Sequence, residues 1–212
     1  MNMAKSMTDT PLYALADWVM KLAYINLLWF LFTFLGLIIL GFMPSTVAMF
    51  TVVRKLLLKD DIPIFKTFYR AFKKEFLKSN LLGFVLGVVG FILYIDYLYL
   101  GTTDGYIHSA LSVGLILISI CYIAITLIIL PIYVHYDLKF IHYFKHAFFI
   151  ALISPHIIIF LAVGIVGIYY VFNFLPGLTM FFLGSGVATF SMWCTLMALH
   201  RIEKKKETLE TT

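Results

Sequence analysis

The chain contains several apolar runs of about 20 residues each, and these runs restrict its fold more than any other feature. A helix of that length crosses the hydrocarbon core of a bilayer, where every backbone N–H and C=O must be bonded within the protein. Hydrophobic residues make up 62% of the sequence and charged residues 13%. Soluble domains are about half apolar and a quarter charged. The sequence therefore predicts an all-α, polytopic transmembrane helical bundle.

Five of these runs are long enough for a full span. No flexible linker or low-complexity tract divides the chain. We therefore expect a single transmembrane domain over residues 18–200, between a cytoplasmic segment 1–17 and a charged cytoplasmic tail 201–212. The five runs are 22–40, 81–100, 108–134, 156–172 with an extension through 151–154, and 178–199.

Residues 41–58 form the least regular part of the first half. Gly41, Pro44 and Ser45 predict a break, with Pro44 ending the first helix and Ser45 capping a new one. The apolar stretch that follows either returns across the membrane as a short sixth helix or lies re-entrant near the cytoplasmic surface. If it crosses, all 16 Lys and Arg residues fall on one side. Since basic loops are cytoplasmic, we favour six membrane segments in the cell membrane with both termini cytoplasmic.

Segment 64–78 is predicted to be a cytoplasmic interfacial amphipathic helix. Its aromatic side chains recur at steps of three and four residues, and basic side chains occupy much of the remaining face. Such a helix either anchors a protein on anionic membrane lipid or forms a docking surface for a partner. The candidate contact residues are Phe65, Phe68, Tyr69, Arg70, Phe72, Lys73, Lys74 and Phe76.

Polar side chains in or beside the apolar runs are further candidates. His142 and His146 have the four-residue spacing of a metal-binding pair, but no third ligand is placed by the sequence, so no metal or other cofactor is expected. Asp96 lies within a span, where a carboxylate is a functional candidate, unless it marks the far interface. Asn26 can bond across helices. The full set of polar candidates is Asn26, Asp96, His135, Asp137, His142 and His146.

Enzymatic and nucleic-acid functions are not indicated. The sequence has no nucleophile elbow, no phosphate-binding Gly-rich loop ending in Lys-Ser/Thr and no HExxH motif. The net charge of +5 comes from basic residues that membrane topology alone requires. Gly83 and Gly87 form a small-xxx-small face that admits a close helix neighbour, from the same chain or from a second copy in a homo-oligomer.

Several segments together resemble the YesL family. They are 18–29, the 41–48 break with Arg54 and Lys55 behind it, the aromatic segment 65–76, and the later segments 130–138 and 145–147. The resemblance implies an integral membrane protein of a family of unknown function, found mainly in Gram-positive bacteria. Genes of this family commonly lie beside carbohydrate ABC importers and glycan-degrading enzymes. The resemblance implies no catalytic or binding residues.

The resemblance and segment 64–78 together lead to one main functional hypothesis. The chain is a non-enzymatic accessory component of oligosaccharide uptake that binds the membrane subunits of an ABC importer. An alternative is a small transporter or channel, motivated by a weak similarity between the two halves, the broken first helix and Asp96. A structural or lipid-organising protein is the third alternative.

Overall fold

The computed structural model describes residues 11–102 and 105–210. Lys5, with the rest of the predicted segment 1–17 before residue 11, and the last two residues of the predicted tail lie outside this range. The described residues form helices joined by short turns, with no strand among them. The helices are α1 (Pro11–Leu35), α2 (Ile39–Leu57), α3 (Ile64–Leu100), α4 (Tyr106–His135), α5 (Phe140–Ile153), α6 (Pro155–Phe174) and α7 (Pro176–Glu210).

Six of these helices are long and apolar enough to cross a membrane, and α5 is the shorter exception. The prediction of an all-α bundle with six membrane segments is confirmed. The segment that was expected to be short is the 19-residue α2, so it has the length of a span in its own right. The chain is a multi-pass membrane protein.

The break between the first two helices lies earlier than the sequence predicted. It falls at Gly36–Ile38, and Pro44 lies inside α2 instead of ending α1. A proline in a helix has no N–H for the carbonyl four residues before it. Here that carbonyl, Leu40 O, accepts a hydrogen bond of 2.9 Å from Asn80 Nδ2 of α3. The helix therefore continues through the proline, because a neighbouring helix supplies the missing donor.

Ser45 was predicted to cap a new helix and does not. It lies within α2 and is fully buried. The turn is instead made by Leu37 and Ile38, which both have positive φ (62° and 60°). Gly36 and Gly41 make this turn possible, because a side chain on either would overlap the backbone of the other. Backbone contact between two glycines thus holds the turn in a conformation that non-glycine residues rarely adopt.

Segment 64–78 is helical, as predicted, but it is not a separate helix. It is the first part of α3, a single helix of 37 residues. Ser79 and Asn80 lie within the same helix, and each donates a side-chain hydrogen bond to Phe76 O one turn earlier. At 1.5 Å per residue α3 is roughly 55 Å long, against about 30 Å for the hydrocarbon core. The helix is therefore longer than one span requires. Its first half is basic and its second half is apolar.

The second half of the chain also departs from the predicted boundaries. Residues 151–153 belong to α5, so they do not extend the span that follows. Ser154 is not helical (φ −128°, ψ 58°), and Pro155 begins α6. The residue before a proline is driven out of the α conformation, and a proline fits well at the first position of a helix. Pro155 therefore divides the apolar run into two helices.

Packing brings the end of α2, the start of α3 and the end of α4 together. α2 is antiparallel to the basic half of α3, and its first turn lies level with Asn80. The apolar half of α3 packs on α4, where Tyr122 donates a hydrogen bond of 3.0 Å to Leu86 O. At the other end of the same helix pair, Tyr133 of α4 reaches Glu75 of α3. This arrangement opens a cleft at the basic end of the bundle.

Candidate functional site: a cationic cleft and the outer face of α3

The cleft has a volume of 410 Å³ and lies among α2, α3, α4 and the segment that joins α4 to α5. Its cationic side chains come from the last turn of α2 and from the first half of α3. Its other wall is formed by residues 133–137 and Tyr143. The five cations that line it are Arg54, Lys55, Arg70, Lys74 and Lys78, and its two acids are Glu75 and Asp137.

Glu75 ties the basic half of α3 to α4. The Tyr133 hydroxyl donates a hydrogen bond of 2.7 Å to Glu75 Oε2, and Lys74 Nζ lies 3.6 Å from Glu75 Oε1. The carboxylate is largely shielded, with 18% of the side chain exposed. A hydrogen bond to a charged group in such surroundings is stronger than one between neutral partners. Glu75 therefore holds the wall of the cleft in place.

Arg54 is oriented by a histidine. Its Nε donates a hydrogen bond of 3.2 Å to His135 Nδ1, which requires that this ring nitrogen carry no proton. The ring of His135 also packs edge-on against Tyr136, with centroids 4.7 Å apart. Burial raises the pKa of the Tyr136 hydroxyl, and the nearby Glu203 carboxylate raises it further. Tyr136 therefore stays neutral at physiological pH and can donate a hydrogen bond.

The aromatic side chains of segment 64–78 divide between the interior and the surface. Phe68 is fully buried, and its ring lies 5.2 Å from that of Phe32 in α1. Phe72 packs on the same ring at 5.1 Å, and Phe76 packs on Phe72 at 5.5 Å. All three were predicted as docking contacts. In the structure Phe68 and Phe72 attach α3 to α1, and Phe76 packs on Phe72 within α3.

The remaining predicted docking residues form the outer face of α3. Phe65 and Tyr69 are 52% and 47% exposed, while their ring centroids lie 6.3 and 6.1 Å from that of Phe32. Leu77, which the sequence did not single out, is 81% exposed. Arg70, Lys73 and Lys74 are exposed beside them. We use "outer face" for Phe65, Tyr69, Arg70, Lys73, Lys74 and Leu77.

The predicted histidine pair, His142 and His146, does not form a metal centre. His142 and His146 are both exposed on α5, and His146 stacks on Tyr136 at 5.9 Å. Within residues 11–102 and 105–210, no three His, Cys, Asp or Glu side chains come close enough to hold a metal ion. Only His135 and Asp137, of the predicted polar set, line the cleft.

Asn26 and Asp96 do not line the cleft. Asn26 is 1% exposed and bridges two backbone groups of α7. Its Nδ2 donates to Met180 O at 2.7 Å, and its Oδ1 accepts from the Ser185 N–H at 3.0 Å. Asp96 is exposed, one turn before the end of α3 at Leu100. Asn26 thus joins two helices, while Asp96 points out of the bundle.

Sequence reasoning missed three residues of the cleft: Arg54, Glu75 and Tyr133. Arg54 entered the count of basic residues and the family resemblance, but it was not singled out as a site residue, although it closes an apolar helix. A signal for Glu75 was present, because it is the one acidic residue in the basic segment 64–78. No signal marked Tyr133, since tyrosines in an apolar run are ordinary. Only the packing of α4 on α3 shows its role.

Comparison with known proteins identifies relatives over most of the chain. A family described as "Protein of unknown function, DUF624" matches residues 22–97. YesV of Bacillus subtilis (strain 168) is 34% identical over 203 residues, covering 95% of this chain and 96% of YesV. YesL of the same organism is 32% identical over 191 residues, covering 90% of each protein. YteU is 32% identical over 189 residues, covering 89% of this chain and 85% of YteU.

No solved structure matches the chain. The three relatives are each named as an uncharacterized protein, so their names bring no activity or ligand. Their similarity extends well beyond the DUF624 region and includes the helices that form the far wall of the cleft. The chain belongs to the YesL-type family of multi-pass membrane proteins.

Proposed function

We propose that this protein is a non-enzymatic accessory component of carbohydrate uptake, which binds the membrane subunits of an ABC importer through the outer face of α3. It does so in the cell membrane, with both termini and the basic end of the bundle in the cytoplasm. The observation that supports this function most is the outer face itself. Large apolar side chains stand exposed there among cations, at the basic half of a helix whose other half is apolar.

The positions of the charges in the fold support the proposed cytoplasmic orientation. Lys21 is in the first half of α1, Arg54 and Lys55 are at the end of α2, and Arg201 follows the apolar part of α7. With six crossings, these positions share one side with segment 64–78. Basic residues accumulate on the cytoplasmic side of membrane proteins. The cleft and the outer face would then both face the cytoplasm.

The placement of the polar residues favours docking over transport. Asn26 and Asn80 are hydrogen-bonded to backbone groups of neighbouring helices, and Asp96 faces outward, so these side chains do not converge on a path. A larger cavity of 630 Å³ beside Asn26 is lined mainly by apolar side chains. A hydrophilic substrate needs polar partners along its path. The lining of the cleft at the basic end is, by contrast, rich in charged side chains.

The outer face has the composition of a protein-binding surface. Tyr, Phe and Arg are enriched at interfaces, since each buries a large apolar area and Tyr and Arg add polar groups that hydrogen-bond. Phe65, Tyr69 and Leu77 lie along one side of α3, and Arg70 and Lys73 lie between them. A membrane subunit of an importer presents apolar helices and cytoplasmic loops at the same depth. It can therefore contact both kinds of side chain at once.

Co-purification tests this proposal. The tagged full chain is isolated in mild detergent from cells grown on oligosaccharide, and bound proteins are identified by mass spectrometry. We expect importer membrane subunits with the native chain and their loss from the triple variant Phe65→Ala, Tyr69→Ala, Leu77→Ala. The matched control removes three exposed side chains from the apolar half of the same helix: Phe91→Ala, Tyr94→Ala, Leu98→Ala.

The control variant should retain the importer subunits, because it leaves the outer face intact. Recovery of no importer subunit with the native chain would contradict the proposal. Equal recovery with both triple variants would show that the outer face is not the contact.

A further inference from the structure

The cationic cleft carries more positive charge than its own acids can balance. Among the described residues, Lys74 is the only one of the five lining cations within ion-pair distance of a carboxylate. That carboxylate, Glu75, is already shared with the Tyr133 hydroxyl. Cations that line one space repel one another, and the attraction of an anion bound among them offsets that repulsion. The cleft is therefore built to receive negative charge.

We propose that the cleft binds a phosphate group carried on a compact, hydroxyl-bearing molecule. The source of that group is either a soluble phosphate monoester or the headgroup of an anionic lipid, since the chemistry recognised is the same. The cleft shares Arg70 and Lys74 with the outer face, but the apolar residues proposed to bind the partner, Phe65, Tyr69 and Leu77, do not line it.

Arg54 is the residue best placed to hold the phosphate. Its Nε is engaged by His135 Nδ1 at 3.2 Å, which fixes the plane of the guanidinium. The two terminal nitrogens make no hydrogen bond or ion pair within the described part of the chain, although Arg54 lines the cleft. A guanidinium oriented in this way can bind two phosphate oxygens in parallel. Arg70 and Lys78 of α3 supply further charge around the same space.

The opposite wall suits hydroxyl groups. Asp137 is exposed at the rim and makes no ion pair within the described residues, so its carboxylate can accept hydrogen bonds from a ligand. The Tyr143 hydroxyl fixes this wall, accepting from the Leu138 N–H at 3.1 Å and donating to Tyr136 O at 3.3 Å. A volume of 410 Å³ fits a small molecule or a headgroup.

The test measures binding to the full chain, purified in neutral detergent, by titration calorimetry. The probe is glycerol 3-phosphate, which is both a phosphate monoester and the core of a lipid headgroup. Glycerol and a hexaglutamate peptide are the comparison probes. The variants are Arg54→Gln and, as a control with the same charge change, Lys73→Gln, whose exposed side chain lies on α3 outside the cleft. The double variant Arg70→Gln, Lys78→Gln replaces Arg54→Gln if that chain fails to elute as a folded species.

The lipid arm uses the same variants in nanodiscs of phosphatidylglycerol or phosphatidylcholine, with retained lipid counted by native mass spectrometry. We expect Arg54→Gln to weaken glycerol 3-phosphate binding, or phosphatidylglycerol retention, about tenfold or more, and Lys73→Gln to change either by less than about twofold. Binding of glycerol 3-phosphate identifies a soluble ligand, and retention of phosphatidylglycerol alone identifies a lipid.

Three results would overturn the proposal. One is that glycerol 3-phosphate binds no more tightly than glycerol, and phosphatidylglycerol is retained no better than phosphatidylcholine. Another is an equal effect of Arg54→Gln and Lys73→Gln, which would reduce the cleft to general surface charge. The third is hexaglutamate binding as tight as that of glycerol 3-phosphate, which would make the cleft a site for acidic peptides.

Discussion

Replacing Asn80 with alanine should destabilise the protein through a carbonyl on a different helix. Leu40 O in α2 cannot receive an N–H from Pro44 and instead accepts the Asn80 side-chain amide at 2.9 Å. An unpaired carbonyl costs about 1–3 kcal/mol, and interhelical hydrogen bonds in a membrane contribute about 0.6 kcal/mol on average and at most about 1.7. We therefore expect Asn80→Ala to lower the free energy of unfolding by about 1–2 kcal/mol.

The same change should cost much less in the background of Pro44→Ala. An alanine in place of the proline would carry the missing N–H and bond Leu40 O within α2, so the carbonyl would no longer depend on Asn80. We expect the double-mutant cycle to give a coupling energy of about 1 kcal/mol. Unfolding is followed by helical circular dichroism as sodium dodecyl sulfate is titrated into detergent micelles. Asn173→Ala is the control, since Asn173 lies on α6 and makes no hydrogen bond to another helix among the described residues.

An equal cost of Asn80→Ala in the two backgrounds would refute this explanation of Pro44. So would a cost no larger than that of Asn173→Ala. Either result would mean that Leu40 O is satisfied in some other way, and that the position of the α1–α2 break has a different cause.

Two further predictions concern the attachment of α1 to the bundle. A Cβ on Gly184 would lie 2.7 Å from Asn26 Oδ1, whereas one on Gly87 would meet nothing within 4 Å. Gly184→Ala should therefore lower the unfolding free energy by about 1–2 kcal/mol despite its better helix propensity, and Gly87→Ala should be neutral or stabilising. Phe32 is buried among aromatic rings of α3, so Phe32→Ala should lower the unfolding free energy by about 3–5 kcal/mol. The same change at exposed Phe84 should lower it much less. Equal losses at both positions would contradict the packing described.

The number of spans could be predicted from the sequence because the length of an apolar run is a local property. A span needs about 20 apolar residues, whatever its neighbours are. The helix ends were less predictable. The break before α6 has a local cause, since Pro155 interrupts an apolar run. The break before α2 does not, because whether Pro44 ends a helix depends on an asparagine that is remote in sequence.

The cleft could be predicted only in part. The basic character of segment 64–78 is visible in the sequence, and so is its aromatic periodicity. The sequence does not show which aromatic residues face inward, because that depends on where Phe32 of α1 packs. The cleft also needs Arg54, Glu75 and Tyr133, which belong to three different helices. Their convergence follows from the antiparallel packing of α2 and α4 against α3.

In-cell photo-crosslinking along α3 tests the proposed role in uptake most directly. A photo-reactive residue is placed in turn at Phe65, Tyr69 and Leu77 of the outer face, at buried Phe68, and at exposed Tyr94 in the apolar half. We predict adducts with importer membrane subunits from the three outer-face positions and none from Phe68 or Tyr94. Adducts with lipid alone at every exposed position would contradict the account and reduce the outer face to a membrane anchor.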